Sequence, residues 1–100
     1  MTWQVQFTAL AADDIADAYA WYTASRNGLG EEFLADLARV VALIEQYPEG
    51  CPVVHHGLRR GLLNHFPYSL YYQLLPTTAT IEMRACVHQR QYPRTWRRRA

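Results

Sequence analysis

The apolar residues of this chain change their spacing halfway along. Up to Tyr47 they recur every three or four positions, whereas from Leu58 onward they alternate or run together with aromatic and branched neighbours. A period of three to four marks a helix with one buried side, and a period of two marks a strand. The chain therefore builds its helices first and most of its sheet afterwards. A short strand precedes both: in "TWQVQF" the alternation puts Trp3, Val5 and Phe7 on one face. Thr8 then offers an N-cap. Leu10 or Ala11, Ile15, Ala18 or Tyr19 and Tyr22 follow at helical spacing, with Asp13, Asp14 and Asp17 in the early turns, where the helix dipole favours anions. The glycines of "RNGLG" end that helix. A second is predicted from Glu31 to Tyr47, with Phe33, Leu34, Leu37, Val40, Val41 and Ile44 on its apolar face and Pro48 just beyond its end. So short a connection makes the two helices an antiparallel hairpin.

In the second half, "LRRGLL", "FPYSLYYQLL" and "TIEMRACVH" read as three strands of a meander, with "PTTA" turning between the last two. Alternation in the last strand predicts Ile81, Met83, Ala85 and Val87 on a core face and Glu82, Arg84, Cys86 and His88 on a polar one. The expected fold is α+β, β-α-α-β-β-β: a small antiparallel sheet packed on one face by the helical hairpin and open on the other, with the arginines on the open face.

At 100 residues this is a single domain, 1–100, half hydrophobic and able to bury a real core with little stability to spare. "MTWQVQF" has neither a basic start nor a long apolar run, and no segment approaches the roughly 20 apolar residues of a membrane span, which points to a soluble cytoplasmic protein with no membrane partner. Two cysteines, Cys51 and Cys86, are too few for a disulfide framework, although one bridge between them stays open. The net charge of +1 hides a segregation. Residues 1–50 carry eight acids against Arg26 and Arg39, and residues 51–100 carry eight arginines against Glu82, with no lysine anywhere. A GC-rich genome would explain the missing lysine but not the segregation. Arginine's planar fork suits phosphate and carboxylate, so the basic half is a candidate surface for nucleic acid or an acidic protein.

The order of elements, together with "LRRGLLNHFPYSLYY" and then "VHQRQYPRTW", resembles the RelE/ParE superfamily of toxins from bacterial type II toxin–antitoxin operons, most of all its ParE-type branch. The resemblance covers nearly the whole chain. It rests on Leu58-Arg59, on Phe66-Pro67-Tyr68 with Tyr72 following, and on the ending with His88, Arg90, Pro93 and Trp96. It implies a growth-arresting toxin held inactive by a cognate antitoxin, part of which folds onto the toxin. RelE-like members cut messenger RNA in the ribosomal A site, whereas ParE-like members poison DNA gyrase and are not known as hydrolases. Fold alone does not choose between them.

As a nuclease, the chain would need groups to deprotonate a ribose 2′-hydroxyl, protonate the leaving oxygen and stabilise the phosphate. His88, Tyr92, Arg59, Arg84 and Arg90 are the candidates. In ParE-type endings an acidic residue commonly stands where Tyr92 stands here, and RelE-like enzymes often use a C-terminal tyrosine. As a gyrase ligand, the chain would dock through Arg84, His88, Arg90, Arg94, Trp96, Arg97 and Arg98. A folded partner with no toxicity is the third alternative. Several of these residues also have a purely structural role open to them: His88 bonding its neighbouring loop, Arg59 and Arg90 pairing with helix acids, Pro93 and Trp96 serving as a turn and an apolar anchor for the tail, and Tyr68, Tyr71 and Tyr72 packing the sheet. Cys51, His55, His56, Cys86 and His88 match no common zinc spacing, and no phosphate loop or serine nucleophile motif occurs, so no metal or cofactor is expected.

Overall fold

The computed structural model describes residues 2–90. The elements run β1 (Gln4–Phe7), α1 (Ala9–Ser25), α2 (Leu29–Gln46), β2 (Val53–His55), β3 (Leu58–Leu62), β4 (Tyr68–Leu75) and β5 (Thr80–His88), with a 3-10 turn at Pro76–Thr78. The strands form one five-stranded sheet in the order β1-β5-β4-β3-β2. The expected β-α-α-β-β-β order is present, with β2 as an additional short strand ahead of the meander. His56 and Gly57 turn β2 into β3, both with positive φ (45° and 81°), as a two-residue hairpin turn requires.

The extra strand has a consequence for direction. The chain reverses at each connection, and with β2 counted β5 lies six reversals after β1, so the two strands run the same way. They pair in parallel, from Gln4 opposite Thr80 to Phe7 opposite Met83, while every other pairing is antiparallel. Three strands instead of four after the helices would have made that pairing antiparallel too.

Thr8 caps α1 as expected, its hydroxyl accepting the Ala11 N–H at 3.1 Å. The chain enters α2 through Gly28 at φ 85°, in the left-handed region. Two residues on, a side chain at Gly30 would put its Cβ 2.2 Å from Thr23 Oγ1 and 2.9 Å from the Tyr19 ring, so a residue without one lets the helices approach. Phe33, Leu37, Val40 and Ile44 of α2 bury against Leu70 and Tyr72 of β4 and Ile81 and Met83 of β5. Leu34, expected on that face, is exposed.

The regular alternation expected for β5 is broken. Tyr71 pairs with Ala85 but Tyr72 with Met83, leaving Arg84 as an extra residue, a β-bulge. Beyond it the faces exchange: Cys86 joins Ile81 and Met83 in the core against the helices, while Ala85 and Val87 pack with Leu58 and Tyr71 in a second buried cluster. The face away from the helices is thus partly apolar, and Arg59 is not on it.

Candidate functional site

Arg59 sits on β3, one strand in from the edge of the sheet, opposite Tyr72. Its Nη1 donates to the carbonyls of Glu49 (3.1 Å) and Cys51 (2.7 Å), tying the α2–β2 loop to β3. That is a structural role, though with carbonyls rather than a helix acid as partners. Arg84, at the bulge, pairs with Glu82 two residues back, Nε to Oε1 at 2.6 Å. His88 ends β5 opposite Tyr68, and the two rings meet edge to face at 5.4 Å. The His88 Nδ1 accepts the Arg90 N–H at 3.1 Å, which puts the proton of the neutral ring on Nε2 and bends the chain after the strand. Tyr68 in turn stands on Phe33, at 5.3 Å between ring centres. Burial, with Tyr22 close by, pushes its hydroxyl up to about 12. His88 is therefore carried on a rigid aromatic stack anchored in the core.

The nuclease candidates do not converge among the described residues. Four residue steps along the sheet separate the Arg59–Tyr72 level from the Tyr68–His88 level, a distance of about 14 Å, with about 10 Å more across two strand spacings. Arg84 lies four residues before His88 and its guanidinium is held toward Glu82. Among the described candidates only Arg90 meets the imidazole, through its backbone N–H. Tyr92, Arg94, Trp96, Arg97 and Arg98 lie outside the described residues, as does Pro93.

The cysteines are free thiols. Burial, and after it the Asp14 carboxylate, pushes Cys86 up to about 12, which keeps it protonated and unfit as a nucleophile or metal ligand. Among the described residues no group of three or more histidines, cysteines or acids could hold a metal ion. Tyr71 and Tyr72 are fully buried, which fits packing rather than base stacking.

A second feature lies between α2 and β3. Val40, Ile44, Cys51 and Gly61 floor an open groove of about 250 Å³, and Leu43, Tyr47 and Leu62 stand at its walls although 49%, 61% and 51% exposed. Arg39 and Asn64 close one end. β2 pairs with β3 as far as Arg59, and the Arg60 N–H still donates to the Pro52 carbonyl at 3.1 Å; from Gly61 on, the outer edge of β3 along the groove has no strand against it among the described residues. Leu43 and Leu62 were not singled out by pattern: one lies beside the apolar stripe of its helix, the other on the strand face that points away from the core. No described helix is long and apolar enough to cross a membrane.

A helical hairpin on one face of a small sheet, whose first strand joins the last in parallel, defines an α+β domain. A solved chain from the chromosomal ParDE TA system of P. aeruginosa is similar over 87% of this chain and 96% of that one, with a TM-score of 0.73 and 20% sequence identity. The likeness is one of fold. No family model and no curated protein matches the sequence.

Proposed function

We propose that this chain is the toxin of a type II toxin–antitoxin module, that it arrests growth by docking on DNA gyrase, and that a cognate antitoxin neutralises it in the cytoplasm. The observation that carries the reading is the shared fold with a ParDE TA system chain, spanning nearly the whole of both. The preference for docking over RNA cleavage rests on the scatter of Arg59, Arg84 and His88, since general acid–base catalysis needs its groups within hydrogen-bond reach of one reacting centre. Docking makes no such demand. It needs charge and anchors on one surface, and the stretch from His88 to Ala100 carries Arg90, Arg94, Arg97, Arg98, Arg99 and Trp96. The α2–β3 groove suits the antitoxin: its apolar floor and the open strand edge past Arg60 fit an amphipathic segment, and Arg39, paired with Asp36 but partly exposed, stands at its rim.

The test compares the full chain with one ending at Tyr92 in a supercoiling assay with purified gyrase. The full chain is expected to inhibit, and the shortened one to lose inhibition while still binding the product of the adjacent antitoxin gene. A shortened chain as inhibitory as the full one overturns the docking reading. Inert gyrase together with cut ribosome-bound messenger RNA would favour the nuclease alternative.

A further inference from the structure

β1 stops pairing at Phe7, opposite Met83, while β5 runs on to His88. On that side the last five residues of β5 face no strand among the described residues. The start of α1 takes the vacant place. Thr8 donates its N–H to the Met83 carbonyl (3.0 Å), its hydroxyl reaches the Arg84 carbonyl (3.4 Å), and Asp14 Oδ2 accepts the Cys86 N–H (3.0 Å).

These contacts bear on the bulge. In an unbroken strand, alternate residues turn their backbone groups to the same neighbour. Met83 turns its carbonyl toward β1 and the start of α1, so Ala85 would be next in regular register. It is Cys86 whose N–H meets Asp14, one residue later, because Arg84 is inserted. The sequence alone favours the other register about as well, since Ile81, Met83, Ala85 and Val87 alternate without interruption. A one-residue shift exchanges the two faces of everything downstream. In the unbulged strand His88 would leave the Tyr68 ring and appear on the opposite side of the sheet.

We infer that Asp14 is a positioning residue for the C-terminal end of the chain: its carboxylate, by holding the Cys86 N–H, fixes the bulge at Arg84 and with it the face on which His88 and Arg90 are presented. The effect on function rests on the toxin reading above; the effect on register does not. Asp14 is well suited to the task. It is half-buried in the first turns of α1, and a charged acceptor holds a backbone N–H more strongly than a neutral one. The neighbouring Asp13 is exposed.

The experiment uses the full chain with Asp14→Ala, Asp14→Asn and, as a control, Asp13→Ala. Amide exchange at Cys86 and the nuclear Overhauser contact between the His88 and Tyr68 rings read the register; growth arrest on induction without antitoxin reads the function. Asp14→Ala is expected to keep a cooperative thermal transition, to speed Cys86 exchange at least about tenfold, to lose the ring contact and to lose growth arrest. Asp14→Asn keeps an acceptor oxygen and is expected to retain the ring contact, with Cys86 exchange between wild type and Asp14→Ala. If Asp14→Ala fails to fold, Asp14→Asn decides by whether Cys86 exchange rises above that of Asp13→Ala. Unchanged Cys86 protection and an intact ring contact in Asp14→Ala overturn the inference. Loss of the ring contact with growth arrest intact overturns the positioning role while leaving the toxin reading standing. A wild-type chain that arrests nothing defeats the toxin reading instead, and the two register measurements still decide whether Asp14 sets the face.

Discussion

Asp36 is a carboxylate taken almost wholly out of water, 4% exposed, on the face of α2 that meets the β3–β4 loop. It accepts the backbone N–H of His65 at 2.8 Å and of Asn64 at 3.3 Å, and pairs with Arg39. Burial alone would raise its pKa, but the His65 N–H, the Arg39 guanidinium and the Asn64 N–H together outweigh burial and hold it below the usual carboxylate range. A group depressed in the folded state adds stability above its unfolded pKa and loses it as the pH falls through the folded value. Stability is therefore expected to drop below about pH 4, and Asp36→Asn to flatten that part of a urea-denaturation profile against pH. At neutral pH, Asp36→Ala leaves two backbone donors without their acceptor and is expected to cost about 3 kcal/mol. Arg59→Ala removes the two donors that hold the Glu49 and Cys51 carbonyls and is expected to cost about 1–2 kcal/mol, with little effect on growth arrest. A loss of toxicity in a stably folded Arg59→Ala chain would return this residue to the functional site.

Among the elements, α2 joins the helical layer to the sheet, and Phe33 is its centre. The ring is fully buried and meets Tyr22, Phe66 and Tyr68 with ring centres 5.3–5.5 Å apart. Phe33→Ala is expected to cost about 3–5 kcal/mol, a large part of the stability of so small a domain, and thermal melting should show a transition lowered by tens of degrees or none at all. Both helices were legible because their apolar residues repeat over many turns, and Thr8 is marked by chemistry as a cap. β2 was not legible: three residues are too few for a period, and its turn is made by His56-Gly57 rather than a common turn pair. The bulge in β5 was hidden for a different reason. Its apolar residues fit an unbroken strand, and what selects the other register is a hydrogen bond from Cys86 to Asp14, 72 positions away in sequence. Local pattern carries no information about such a contact. The same limit applies to the α2–β3 groove, whose walls come from separate elements.

For the molecule as a whole, the acids of the first half lie largely on the helices, and the arginines of the second half on β3, β5 and the stretch that follows. On the toxin reading proposed above, such a separation along the chain steers an acidic antitoxin toward the arginines. Its association rate is expected to fall several-fold between 50 and 500 mM salt with a smaller change in dissociation, as stopped-flow mixing would record. The proposed target is DNA gyrase. Inducing the protein in bacteria without antitoxin, and following DNA and protein synthesis minute by minute, tests it most directly. Docking on gyrase predicts that DNA synthesis stops first while translation continues. Translation stopping first, with transcripts cut inside codons, would contradict it and turn His88, Tyr92 and the arginines into catalytic candidates.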